Sequence, residues 1–313
     1  MCIRDRFKND LLFVLSRSNA SNKNNRISAV SIDSDHKFEF ANWGEEDGKS
    51  ILPTSIAFDN NNLIYLSDEH LNRISVFNID GGFIRSWGTY GTDKGEINRP
   101  SGIIFDKDNN ILIVDHLNSR IQKFDDQGKF ISCFGSFGDR EGEFNYPWGI
   151  DLDQSENIYV ADWRNDRIQK FDSEGNLLHI FGESGVAIGQ FNRPSSVAVD
   201  TNMNIAVADW GNERVQILDE GGSVLKVLEG DATLSKWSHE WLDVNLDERE
   251  ARNRADLKVL DLPEHLKNAY HEASQTEHKF WGPVSVKFDS DNQLYVTEHS
   301  RHRIQVFEPV NLK

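Results

Sequence analysis

At 313 residues, 38% of them hydrophobic and 27% charged, the chain has a globular composition and enough length for a substantial core. No apolar run approaches the roughly eighteen residues of a membrane helix, which excludes a helical span, and a formal charge of −17, from 51 acidic against 34 basic residues, opposes nucleic acid and anionic membranes as partners. Two cysteines, Cys2 and Cys133, exclude a disulfide framework and a CxxC metal site, and they leave the compartment open.

In chain order, residues 1–6 (Met-Cys-Ile-Arg-Asp-Arg) read as an adaptor-like artefact, so they are set aside and the native N-terminus is expected upstream. Leu11 to Leu15 is too short for a signal-peptide core. Residues 7–44 form a diverged first repeat, with second, third and fourth strands at 11–16, 26–32 and 38–44. Its innermost strand is expected before the adaptor-like start.

From residue 53 a period of 47 takes over. Pro53, Pro100, Pro147 and Pro194 recur at intervals of 47, and Pro283 follows after 89, one period plus an insertion of 42. Asp68, Asp115, Asp162, Asp209 and Glu298 keep the same register, as do Arg73, Arg120, Arg167, Arg214 and Arg303. Each repeat is a set of short β-branched and aromatic runs divided by Asn, Asp and Gly turns, which predicts a four-stranded meander. Such sheets bury their faces by stacking around a ring. The blades are expected at about 7–44, 53–88, 100–135, 147–182, 194–230 and 283–313: an all-β, six-bladed β-propeller. Glycine-rich connections such as Gly88 to Gly95 lead into strands, so they are turns rather than phosphate cradles.

The third clear repeat contains Ala161-Asp162-Trp163-Arg164-Asn165-Asp166-Arg167-Ile168-Gln169-Lys170-Phe171-Asp172-Ser173-Glu174-Gly175. This run resembles the core of NHL repeats, and the resemblance covers residues 53–308 outside the insertion. It implies a six-bladed, TolB-like propeller that serves as a binding platform. Peptidylglycine amidating lyase is similar in fold, but that family places zinc-binding histidines directly after the repeat prolines. Thr54, Ser101, Trp148, Ser195 and Val284 stand there in this chain, against that activity.

Residues 231–280 lack glycine and are rich in Glu, Leu, Arg, Lys and Ala, which predicts a helical insertion between blades 5 and 6. Two helices are expected, one from the N-cap Ser235 to about Lys258, the other opened by Pro263 and running past Leu266 and Tyr270. The insertion is either a lid over the channel mouth or a tolerated surface excursion.

The repeated acid and arginine of each blade read as structural braces. The aspartates that end the first strands (Asp59, Asp106, Asp153, Asp200, Asp289) read as Asx-turn caps rather than calcium ligands. A ligand breaks the equivalence of the ring, so the informative positions are those where blades differ. After the marker acid stand Glu69, His116, Trp163, Trp210 and His299. Arg99, Tyr146 and Arg193 precede the prolines, Trp148 follows one, and Arg164 and Arg301 lie in the adjoining turns. The candidate collar is thus Arg99, His116, Tyr146, Trp148, Trp163, Arg164, Arg193, Trp210, His299 and Arg301, suited to stacking and to bidentate hydrogen bonding.

Neither a GxSxG elbow nor an HExxH pair is present, so no catalytic or metal-binding residue is assigned and no cofactor is expected. The first reading is a monomeric, non-catalytic propeller recognising a protein, peptide or small polar ligand at the channel mouth. One alternative is a propeller lyase or hydrolase using Arg, His and Tyr groups there, with a divalent cation in the channel. A second is the substrate-recognition propeller of a ubiquitin-ligase-like NHL protein.

Overall fold

The structure, a computed structural model, describes residues 2–8 as backbone and residues 11–17, 22–31, 35–255 and 261–309 with side chains. Its strands fall into six antiparallel sheets in simple meander order. Blade 1 holds β1 (Cys2–Lys8), β2 (Leu11–Ser16), β3 (Arg26–Ser31) and β4 (His36–Phe40), and blade 2 holds β5 (Pro53–Phe58), β6 (Ile64–Asp68), β7 (Arg73–Phe77) and β8 (Phe83–Trp87). Blade 3 is β9 (Pro100–Phe105), β10 (Ile111–Asp115), β11 (Arg120–Phe124) and β12 (Phe130–Phe134). Blade 4 is β13 (Pro147–Leu152), β14 (Ile158–Asp162), β15 (Arg167–Phe171) and β16 (Leu177–Phe181). Blade 5 is β17 (Pro194–Val199), β18 (Ile205–Asp209), β19 (Arg214–Leu218) and β20 (Val224–Leu228). Blade 6 shows three strands among the described residues, β21 (Pro283–Phe288), β22 (Leu294–Glu298) and β23 (Arg303–Phe307).

The first strands pack consecutively, β1 on β5, β9, β13, β17 and β21, and β21 returns to β1. That closed circuit makes this a six-bladed propeller. The innermost strand of blade 1, expected upstream, is supplied by Cys2–Lys8, whose backbone pairs Cys2 with Leu15 and Lys8 with Leu11.

Because side chains alternate across a strand, each second strand feeds two interfaces at once. In β14, Ile158 and Val160 pack toward blade 3 while Tyr159 and Ala161 pack toward blade 5. In β2, Phe13 and Leu15 face blade 2 while Leu12 and Val14 face Tyr295 of blade 6. Both faces are covered, so β10, β14 and β18 are buried along their whole length, which explains their nearly continuous apolar runs.

At the hub the first strands approach so closely at Gly102 and Gly149 that a Cβ there would meet main-chain atoms. A Cβ at Gly149 would lie 2.7 Å from Ser196 Cα and 2.8 Å from Ser195 O, both main-chain atoms. Ser55, Gly102, Ser196 and Ser285 occupy the same register, so small residues ring the hub.

Among its described residues the insertion forms three short helices rather than two: α1 (Lys236–Val244), α2 (Leu246–Arg254) and α3 (Ala269–Gln275). Ser235 caps α1 by accepting from Ser238 N at 3.2 Å, and Asn268 caps α3 by accepting from His271 N at 3.1 Å. At Asn245 the backbone leaves helical geometry (φ −115°, ψ 73°), dividing the first expected helix. Its expected end near Lys258 lies outside the described residues. Pro263 opens a single turn, Glu264–Leu266, rather than a helix. No helix among the described residues is long and apolar enough to cross a membrane.

Candidate functional site

The turns joining second to third strands and the connections between blades share one face, and the marker residues hold both in place. In blade 4, Asp162 accepts from Asn145 N at 2.7 Å, Asn165 Nδ2 at 2.8 Å and Arg167 Nε at 2.9 Å. Arg167 also donates to the carbonyls of Asp139, Arg140 and Glu143 in the incoming connection. Asp115 with Arg120 and Asp209 with Arg214 repeat the arrangement at 2.8 and 2.7 Å, and Glu298 pairs with Arg303 in blade 6. In blade 2 the acid and the arginine act separately, with Arg73 reaching the carbonyls of Glu45, Glu46 and Lys49 while Asp68 accepts from Ile51 N at 2.7 Å. Burial pushes the Asp115, Asp162 and Asp209 carboxyls upward, against the hydrogen bonds and the arginine that pull them down.

The first-strand aspartates are occupied by their own turns. Asp106 Oδ1 accepts from Asn110 N at 2.8 Å, and Asp59, Asp153, Asp200 and Asp289 each cap the following hairpin in the same way. Among the described residues no three His, Cys, Asp or Glu side chains converge as a metal site requires.

The residues before four of the five repeat prolines are left-handed: Arg99 (φ 52°), Tyr146 (φ 55°), Arg193 (φ 54°) and, in blade 6, Gly282 (φ 72°). Three of their amides are tethered to the preceding blade. Asn72 Oδ1 accepts from Arg99 N at 2.8 Å, Asp166 Oδ1 from Arg193 N at 2.6 Å, and the Glu213 carboxyl from Gly282 N at 2.5 Å. Glu213 is buried, and burial lifts it to about 7, assisted by the nearby Glu298 charge and opposed by the Gly282 amide.

These turns surround a cavity of about 870 Å³ at the channel mouth. Trp148, Trp163 and Trp210 line it from blades 4 and 5; Arg17, Asn22, Asn24 and Arg26 of blade 1 face them, with His299 and His302 of blade 6 alongside. Deeper in, Thr54 Oγ1 donates to Pro100 O at 2.9 Å and Ser195 Oγ to Val284 O at 3.1 Å, so each hydroxyl links one blade to the next. Further along the channel Lys287 Nζ donates to Asp151 Oδ1 at 2.6 Å. This pair joins blades 6 and 4 across the channel, and Asp151 Oδ2 also accepts from Val199 N of blade 5 at 2.9 Å.

Four of the ten collar residues, Trp148, Trp163, Trp210 and His299, line this cavity. The rings of Trp163 and Trp210 lie 6.4 Å apart, inclined by 43°. Around Trp163 gather Arg164 and Arg193, whose guanidinium carbons lie 5.8 and 5.2 Å from its ring, and Arg164 also lies 5.3 Å over Tyr146. His116 packs edge-on against Trp148 at 4.9 Å, with Nδ1 3.0 Å from Pro147 O. Burial lowers the pKa of His116, and that of His299 is lowered by burial and then by neighbouring positive charge, including His302 and Arg17. Arg99 stands exposed on the rim. Arg301 is drawn to the insertion, donating to Ala273 O and to Thr276 O at 2.8 Å, with its guanidinium 5.6 Å over Trp281.

The blade 1 side escapes sequence reasoning. Ser16 occupies the marker-acid position there, paired with Arg26 as Asp68 is with Arg73. Arg17 is therefore the blade 1 member of the variable ring, and it meets the blade 2 member, Glu69, at 2.7 Å. The usable signal was Ser16 at the end of an apolar run.

A family model described as the NHL repeat matches residues 144–171, 191–218 and 280–307. No curated protein matches the chain. Among solved structures it is similar to a streptogramin B lyase (14% identity, TM-score 0.59, covering 98% of this chain and 78% of that one). It is also similar to a chain of the nidogen/laminin complex (16%, TM-score 0.58, 97% and 94%) and to catalytically inactive virginiamycin B lyase from Staphylococcus aureus with quinupristin (14%, TM-score 0.54, 96% and 90%). At these identities the likeness is one of fold alone. With three matched repeats inside a closed ring of six meander sheets, the chain is a six-bladed β-propeller that carries NHL repeats.

Proposed function

We propose that this propeller is a non-catalytic binding protein that takes a small polar ligand into the cavity at its channel mouth. One observation carries the reading: three tryptophans converge on a cavity of about 870 Å³ whose facing wall is polar. Small-molecule sites combine a largely apolar, aromatic surface with a few directed polar groups, in volumes of roughly 300–1,000 Å³. Acid and arginine braces hold the turns around the cavity, so the aromatic wall is in place before a ligand arrives, which lowers the ordering cost of binding.

The test is a thermal-shift and calorimetric screen of the purified chain against sugars, nucleosides, amino acids and organic acids. A ligand should raise the melting temperature, and Trp163→Ala with Trp210→Ala should weaken it by about 2 kcal/mol, roughly thirtyfold. Unchanged affinity in that double variant would move the site elsewhere, and turnover of the bound compound would replace binding with catalysis.

A second reading, recognition of a protein, is favoured by the insertion, where Trp237, Trp241, Val244, Leu246 and Tyr270 are exposed. Trp237, Trp241 and Val244 recur at i, i+4 and i+7 along α1, and an exposed apolar stripe of this kind marks an interaction site.

A further inference from the structure

The two walls of the mouth cavity differ in chemistry, and the cationic groups on the polar wall are already matched. Arg17 Nη2 lies 2.7 Å from Glu69 Oε1, and Arg26 Nε lies 3.2 Å from Glu39 Oε2. His299 has its pKa lowered, chiefly by burial, so it is neutral at pH 7. A carboxylate or phosphate entering here would compete with Glu69 and Glu39 for their guanidinium partners, and it would add charge to a chain already at −17. An uncharged polyol meets neither obstacle. Arginine carries five N–H donors and a carboxylate engages only part of them; amides and imidazoles both donate and accept. The opposite wall offers indole faces, which accept flat apolar surfaces and keep a polar edge. A molecule with a flat C–H face on one side and hydroxyls around its edge satisfies both walls together.

We propose, resting on the reading that this cavity is the binding site, that its ligand is a neutral pyranose saccharide, stacked on Trp163 and Trp210 with its hydroxyls toward Arg17, Asn22, Asn24 and His299. The cavity lies open at the mouth, so a chain longer than the cavity can project outward past the rim.

The experiment titrates the full chain with neutral glucose, mannose and galactose oligosaccharides and with a uronic-acid oligosaccharide, read by tryptophan fluorescence and calorimetry at low and high salt. At least one neutral saccharide should bind and shift the emission, with affinity changing less than about twofold with salt, since no ion pair forms. Binding should fall more than about tenfold in Trp163→Ala/Trp210→Ala and persist in Trp237→Ala, whose indole lies on α1 outside the cavity. If the double variant fails to fold, Trp163→Leu keeps apolar bulk without the indole face. Salt-sensitive binding of the uronate alone would overturn the proposal. So would the absence of saccharide binding alongside a different small ligand that needs Trp163 and Trp210, a result that leaves the cavity as the site. If nothing binds there, the cavity reading falls together with this one.

Discussion

Replacing Glu213 with glutamine should stabilise the protein at neutral pH and flatten part of its pH dependence. Glu213 is buried at the junction of blades 5 and 6, accepts from the Gly282 amide, and lies close enough to Glu298 to feel its charge. Its carboxyl is lifted from the ordinary 4.5 to about 7. The folded state therefore holds this proton more tightly than the unfolded state. Stability from this group is complete below pH 4.5 and is lost as pH rises through about 7. At about 1.4 kcal/mol per unit, the loss amounts to at most about 3 kcal/mol. Glutamine keeps a carbonyl to accept from Gly282 and carries no charge at any pH. Urea denaturation of both proteins at pH 5, 6, 7 and 8 should show near equality at pH 5, a gap widening with pH, and a plateau above about 7. The reasoning is refuted if Glu213→Gln is the less stable protein at pH 8, or if the gap does not change with pH. The difference between the two proteins removes the contributions of His116 and the buried aspartates, which titrate in both.

Arg167→Met removes four hydrogen bonds and leaves Asp162, fully buried, without its guanidinium partner. The cost should be about 3–5 kcal/mol, larger at pH 8 than at pH 5 because a buried carboxyl already pushed upward is pushed further; parallel losses at the two pH values would contradict this. Gly149→Ala places a Cβ against the main chain of blade 5, where no side chain can swing away, and should cost about 1–3 kcal/mol by equilibrium unfolding. A neutral result would mean that the hub relaxes more freely than its packing suggests.

The blades could be read from the sequence because a ring repeats its constraints. Every clear copy needs a proline, a marker acid and an arginine at the same register, and the marker acid's backbone partners lie in the same short stretch of chain, as Asn145 and Asp162 do. The aromatic wall could be read for the opposite reason, since Trp163 and Trp210 break a pattern that is otherwise constant. What could not be read depends on contacts between distant repeats. Arg301 stands in the register of Asn165, whose amide donates to Gly138 O of the incoming connection, but its partners are carbonyls at the end of α3, because the insertion replaces that connection before blade 6. Lys287 and Asp151 sit in first strands 136 positions apart, and neither position is charged in blades 2, 3 and 5, where Ala57, Ile104 and Ala198 stand. Blade 1 was harder still: serine replaces its marker acid, and nine residues, 17–25, replace a four-residue turn, so Arg17 did not align with the ring it completes.

Tethering through the main chain leaves the rim side chains free to vary. At Arg99 and Arg193 a hydrogen bond from the residue's own amide to the preceding blade holds the loop, and that tether does not depend on which side chain the residue carries. Tyrosine, arginine and glycine all stand at this position in one chain, with the same backbone sign. Substitution there can alter what the mouth recognises while the ring keeps its geometry. Selection can thus change recognition at these positions with little effect on folding, and a designer can randomise them first.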